Sequence, residues 1–193
     1  RPLKKTCGRC TLCMDKCPTG AIVAPYVIDN ARCISYLTIE SRGPIPHSLR
    51  PLVGDRVFGC DVCQEVCPVN RKARPTREPA FQPGEHGFTV LQLLPLLGIT
   101  EEEFVKTFRN SPIRRAKRVG LLRNVCVALG NIGDSRAVPS LHLALGHRDP
   151  LVRGHAAWAL GRIGGQEAMR ALTEPLPAEV NKEVREEISL ALR

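Results

Sequence analysis

The stretches CGRCTLCMDKCP (Cys7 to Pro18) and GCDVCQEVCPVN (Gly59 to Asn70) hold seven of the chain's nine cysteines. Cys33 stands between them, and Cys126 lies far downstream. The first stretch reads C-x2-C-x2-C-x3-C-P. The second, aligned to it on Cys60, Cys63, Cys67 and Pro68, has Val57 where a first cysteine would stand. Cys33 is then the remaining thiol able to complete a second set of four.

The first run is the cluster-binding pattern of bacterial ferredoxins, in which the fourth cysteine ligates the other cluster. Close spacing lets one loop wrap a cube with three thiolates. Cys17, with Pro18 behind it, is expected to open a helix aimed elsewhere, since proline's missing N–H is no loss there. The expected ligands are Cys7, Cys10, Cys13 and Cys67 for one 4Fe–4S cluster, and Cys17, Cys33, Cys60 and Cys63 for the other. Paired C-x2-C motifs also build tetrahedral zinc sites, but the full run ending in proline is the more specific signal. A secreted disulfide scaffold is disfavoured, because no apolar h-region follows the first basic residues. A reducing cytoplasm is expected. No apolar run reaches the roughly 18–20 residues of a membrane span.

The fold expected is mainly α: a two-cluster ferredoxin-like iron–sulfur module (α+β, little strand) over 1–80, a linker and helical connector over 81–112, and an α-solenoid of HEAT-like repeats over 113–193. Residues 34–59 form an insertion between the cysteine motifs, rich in Gly and Pro, read as irregular loop with short helical pieces. It is either a wall of an active site or a surface insertion. Residues 71–87 read as a basic, proline-bearing linker, followed by the apolar segment Val90 to Leu97. Thr100-Glu-Glu-Glu103 is a capping box opening a helix with Phe104, Val105 and Phe108. Further on, Leu129-Gly-x-Ile-Gly recurs at Leu160, a period of 31, and a third copy begins near Val184 and stops at Arg193. Units of that length stack by burying their apolar stripes on one another. Cys126 and Trp158 are expected in that core, and His142, His147 and His155 are read as structural.

The chain carries a net charge of +9, which favours an anionic partner. From Phe104 to Gly133 there is no acid but there are seven basic residues: Lys106, Arg109, Arg114, Arg115, Lys117, Arg118 and Arg123. Ile113, Leu121, Val125, Leu129 and Ile132 are expected to face the core, leaving Arg114, Lys117 and Arg118 mostly off it. A solvated face normally mixes signs, so this strip reads as a phosphate-binding surface. Aromatics are only 4%, so a folded RNA or duplex backbone fits better than a bare single strand.

The eight-cysteine module with its displaced Cys33, followed by Ser111-Pro-Ile-Arg-Arg-Ala-Lys-Arg-Val-Gly-Leu-Leu-Arg-Asn-Val125 and the repeats, resembles the epoxyqueuosine reductase family. The resemblance implies two 4Fe–4S clusters that feed electrons to a cobalamin, and reduction of epoxyqueuosine to queuosine at the wobble position of tRNA. It implies that Ser35 and the segment Cys60, Asp61, Val62, Cys63 lie against cobalamin. It also implies that Arg42, Arg114, Arg115, Lys117, Arg118 and Arg123 contact the tRNA anticodon stem-loop. The implied partners are that RNA and an electron donor such as flavodoxin or ferredoxin; a monomer is expected. The family's cobalamin domain, with its catalytic acid, has no counterpart in these residues, so no catalytic residue is expected here, and the chain reads as part of a longer protein or as the partner of a separate cobalamin-domain chain. The alternatives are a stand-alone ferredoxin-type carrier with a protein-docking repeat tail, and a reductive dehalogenase-like cobalamin enzyme.

Overall fold

The computed structural model describes residues 7–74, 76–78, 90–175 and 177–193. From residue 79 onward the expected linker lies outside the described residues.

The cysteine-rich part consists of short helices around one hairpin. Helix α1 (Leu12–Lys16) carries Cys13 and is closed by Cys17 as its C-cap. No helix begins at Pro18, contrary to expectation. The Gly20 N–H bonds back to the Cys17 carbonyl at 3.1 Å, and Gly20 takes φ 60. That left-handed step, natural for glycine, reverses the chain into strand β1 (Ile22–Ala24). Strand β1 pairs antiparallel with β2 (Val27–Ile28), with Ile22 opposite Ile28 and Ala24 opposite Val27. Helix α2 (Ile34–Ile39) starts directly after Cys33, its N-cap. The insertion then runs through α3 (Arg50–Val53) to α4 (Val62–Glu65), which carries Cys63 and packs against α1. The two motifs therefore place matching short helices side by side, as their alignment at Cys13 and Cys63 requires.

The second part is a stack of helices. Helix α5 (Val90–Leu97) lies on α7 (Lys117–Ile132) and α8 (Val138–Leu145). Between α5 and α7 comes α6 (Glu101–Thr107), opened by the expected capping box: Thr100 Oγ1 accepts from the Glu103 N–H at 3.2 Å, and Glu103 Oε2 accepts from the Thr100 N–H at 2.9 Å. Phe104 and Phe108 are buried beneath it with ring centroids 5.3 Å apart. Helix α9 (Pro150–Ile163) packs on α7 and on α11 (Lys182–Ala191), while α10 (Gly165–Thr173) packs on α8 and α9. Asp134, Asp149 and Asn181 each accept a backbone N–H at the start of a helical turn, the side-chain capping that orphan helix donors demand.

The 31-residue period has a steric cause. A Cβ on Gly130 would lie 2.7 Å from Trp158 Cζ3 and 2.9 Å from Ala159 Cα; one on Gly161 would lie 2.7 Å from Ala191 Cβ. Each glycine marks the point where one repeat's helix touches the next. Cys126 and Trp158 are core residues, as expected, and His155 is buried. Ile132 departs from its expected place, with 39% of its surface exposed, because α7 ends there, at the left-handed Gly133.

Candidate metal centre

All nine cysteines are free thiols. Cys7 and Cys10 are exposed, Cys13, Cys17, Cys33, Cys60, Cys63 and Cys67 are partly buried, and Cys126 is fully buried. Burial pushes the Cys126 thiol up to about 12, so it is a poor thiolate and separate from the other eight.

Two of the eight show what surrounds them. At Cys17 burial alone would raise the pKa, but it is outweighed by the Ala21 N–H, which points at the sulfur at 3.2 Å, and by the Thr19 hydroxyl, so the pKa lies below the ordinary thiol value. Cys63 is pushed up, first by burial and then by the like charges of Cys60 and Cys33, with the Gln64 amide opposing. Cys33, Cys60 and Cys63 therefore share one neighbourhood although 26 residues separate the first two. Side chains of α2 hold them there. Ser35 Oγ accepts from the Cys60 N–H at 3.0 Å and donates to the Cys60 carbonyl at 3.2 Å, and Thr38 Oγ1 accepts from the Gly59 N–H at 2.9 Å. Among the described residues no three His, Cys, Asp or Glu side chains converge closely enough for a single metal ion. The thiolates of a cube each bind a different iron, so they stand wider apart than those around one zinc. Cys33, Cys60 and Cys63 lie in one neighbourhood, and a donor set made of thiols suits iron–sulfur clusters.

Of the remaining residues implied to lie against cobalamin, Ser35 is turned inward and committed to Cys60. Asp61 is exposed and Val62 partly so.

The insertion is not a loose surface loop; helix α7 grips it. Leu37 and Thr38 lie in the last turn of α2, where carbonyls lack intrahelical partners. Arg123 donates to the Leu37 carbonyl, and to Ser41 and Gly43 carbonyls at 3.0 and 2.7 Å. Asn124 Nδ2 bridges the Thr38 and Val57 carbonyls, both at 2.8 Å, and Asn131 Nδ2 bridges those of Arg50 and Gly54, both at 2.8 Å. A second anchor lies on α9 and α11. Arg50 is 1% exposed; it forks onto Glu187 at 2.9 and 2.6 Å and sits 5.6 Å over the Trp158 ring. His155 Nε2 accepts from the Ile45 N–H at 3.2 Å, while Nδ1 faces the Leu151 carbonyl at 2.7 Å. Burial, then the Arg50 charge, drives the His155 pKa well down, so this bridge is built from neutral imidazole. None of Asn124, Asn131 or Arg50 stands out from the sequence as a binding residue. The one available signal is a polar pair, Arg123-Asn124, inside an otherwise apolar helix stretch.

These contacts redraw the basic strip. Arg123 is 0% exposed, and burial, then the charge of Arg42, pulls its pKa down to about 10; it fastens the insertion and cannot reach a phosphate. Arg42 likewise spends its guanidinium on the carbonyls of Ile39, Ala116 and Arg115. Arg115 is exposed and ion-paired with Glu40. Arg118 donates to the Ile99 carbonyl at 2.6 Å. Arg114 and Lys117 remain exposed at the turn Pro112–Ala116 and the start of α7. Charge counting finds the strip but does not tell solvated cations from inward-facing ones.

Residues 6–70 match the family model of the 4Fe-4S double cluster binding domain, and residues 114–193 match that of HEAT repeats. The chain thus joins an iron–sulfur domain to a repeat domain and is mainly helical. Within that class it is similar to epoxyqueuosine reductases over most of its length. It is 52% identical over 159 residues to the one from Pseudomonas aeruginosa (82% of this chain, 44% of that protein), and 45% identical over 163 residues to the one from Escherichia coli K12 (84% and 42%). A crystal structure of epoxyqueuosine reductase with a tRNA-Tyr epoxyqueuosine-modified tRNA stem loop matches with a TM-score of 0.89 at 35% identity, covering 99% of this chain and 51% of that one. The Streptococcus thermophilus structure matches at 0.81 and 26% identity, covering 99% and 50%. The chain spans about half the length of the relatives it matches. No described helix is long and apolar enough to cross a membrane.

Proposed function

We propose that this chain is the iron–sulfur and RNA-docking portion of an epoxyqueuosine reductase, acting with cobalamin on the wobble nucleoside of tRNA. The observation that carries the reading is the meeting of Cys33 with Cys60 and Cys63 under the Ser35 clasp, because it supplies the ligand that the second motif lacks. In this reading Cys7, Cys10, Cys13 and Cys67 hold one 4Fe–4S cluster, and Cys17, Cys33, Cys60 and Cys63 hold the other. The clusters supply single electrons, and cobalamin, when bound, supplies the reduced cobalt that opens the epoxide. Asp61 and Val62 form this chain's rim of the cobalamin site; the rest of that site comes from the remainder of a longer protein. Ser35 fixes the Cys60 backbone, and α2 sets where the second ligand set stands. Arg114 and Lys117 take phosphates of the anticodon stem-loop, and Arg115 joins them by leaving Glu40. The localisation that follows is cytoplasmic.

Two measurements test this. Anaerobic analysis should give about eight irons and eight sulfides per chain, with Cys33→Ala losing about half of both. Two zincs instead, or an intact iron complement in Cys33→Ala, would refute the ligand set. Separately, an anticodon stem-loop should bind with an affinity that falls steeply with salt; binding indifferent to salt would leave the ferredoxin-type carrier as the better reading.

A further inference from the structure

The β1–β2 hairpin exposes Val23, Tyr26, Val27 and Ile28, with 51, 80, 51 and 55% of their surface in solvent. Four large apolar side chains clustered on a two-stranded ribbon are more than such a ribbon needs, and exposed apolar clusters mark interaction sites. Tyr26 holds φ 65, a left-handed conformation that bulky residues rarely adopt. Its hydroxyl stands 3.5 Å from the Cys7 backbone N–H, which donates to it. The hairpin tip is thereby seated on the cysteine loop, whose Cys7 and Cys10 are exposed while the other six of the eight are partly buried.

The same stretch of chain carries cations. Arg9, between Cys7 and Cys10, Lys16 at the end of α1, and Arg32 are all exposed, and among the described residues no ion pair engages them. The two neighbouring acids are occupied: Asp15 accepts from the Thr11 hydroxyl and Asp29 from the Ala31 N–H. Over residues 1–33 the sequence has six Lys or Arg and two Asp, a local excess of positive charge.

We propose that the hairpin tip and the Cys7–Cys10 loop form the docking face for a small acidic one-electron carrier protein of the flavodoxin or ferredoxin class. The apolar tip supplies the contact and the cations orient the partner. One electron leaves the carrier and enters the cluster held by the exposed loop; no bond forms or breaks. This rests on the ligand set proposed above.

The test uses the full-length, iron-loaded protein with reduced flavodoxin as probe. Stopped-flow bleaching of cluster absorbance follows electron entry, and titration calorimetry follows binding. Val23→Asp and Val27→Asp should each slow carrier-driven reduction and weaken binding by about tenfold, with iron content and reduction by dithionite unchanged. Arg9→Glu and Lys16→Glu should flatten the salt dependence of the carrier-driven rate. Wild-type rates from flavodoxin in all four variants, with dithionite reduction normal, overturn the docking face alone. Loss of a dimer, or a newly protease-sensitive full-length chain, in Val27→Asp also overturns it, by showing the hairpin covered by a second copy or by the rest of the chain. Absence of clusters in the wild type instead overturns the underlying ligand set.

Discussion

Replacing Gly130 by alanine tests the account of the repeats at one atom. In a helix interior this change is normally favourable, by about 1 kcal/mol. Here the new Cβ would stand 2.7 Å from Trp158 Cζ3, 2.9 Å from Ala159 Cα and 3.1 Å from Ala159 Cβ. Carbon atoms prefer separations of about 3.5–4.0 Å, so α7 and α9 must part or Trp158 must turn. Trp158 has little room to turn, because it is 8% exposed and lies under the Arg50 guanidinium. Overpacking of this kind costs about 1–3 kcal/mol. With backbone among the clashing atoms the upper end applies, and the net loss is about 2 kcal/mol. For a chain of this size that lowers Tm by about 4–8 °C. Gly120→Ala in the same helix is the control: its Cβ would meet only Ala116 Cβ at 3.9 Å, so it should keep the propensity gain and melt about 2–4 °C above the parent. Thermal and urea unfolding of both variants, at matched iron content, measures the difference. A Gly130→Ala protein that melts with or above Gly120→Ala would refute the close-crossing explanation of the 31-residue period.

Three more expectations concern the grip of α7 on the insertion, the exposed cations and two histidines. Arg123→Met, which keeps the stem but strips the donors from the Leu37, Ser41 and Gly43 carbonyls, should cost about 1–3 kcal/mol for each carbonyl left unsatisfied, with hydrogen exchange quickening first over 34–59. In stem-loop binding, Arg114→Ala and Lys117→Ala should each lower the salt slope by about 1, whereas Glu40→Gln, which frees Arg115, should leave affinity equal or higher; a weaker Glu40→Gln would contradict the role given to Arg115. Stability should also depend on pH through His155 and His147, both held below their ordinary pKa by burial. Above about pH 6.5 both states are neutral and the contribution is constant; below it the unfolded chain takes up protons that the folded chain refuses, so stability falls with falling pH. Fluorescence of Trp158, the single tryptophan, can follow unfolding from about pH 7.5 to 5.5, and His155→Gln should flatten part of that limb.

The cysteine spacing carried most of what the sequence could say about the site, because short-range ligand geometry is written directly into residue intervals. The repeat was legible for a similar reason: Gly130 and Gly161 recur where helices touch, and a contact repeated in space repeats in sequence. The insertion was illegible because its partners are remote. Arg50 meets Glu187, and Asn131 meets Arg50 and Gly54, across 77 to 137 residues. The direction of Arg123 was hidden for another reason: the same residue type serves a phosphate or a helix C-terminus, and only the carbonyls of α2 decide between them. Pro18 misled because a proline after cysteine suits a turn as well as a helix start, and the left-handed Gly20 selects the turn.

The segment from Cys33 to Cys60 is held at two levels. Its middle is fastened to the repeats by Arg123, Asn124, Asn131 and the Arg50–Glu187 fork, and on the proposed ligand set its two ends are tied to a single cube. Binding at the ends and docking of the middle then restrict the same stretch of chain, so each lowers the entropy cost left for the other. The coupling is reciprocal: whatever metal loading contributes to seating the repeats, the seated repeats return as affinity for metal. A protein stripped of iron should lose its grip between the two halves before either half melts, and a change as distant as Glu187→Gln should show up as easier loss of iron.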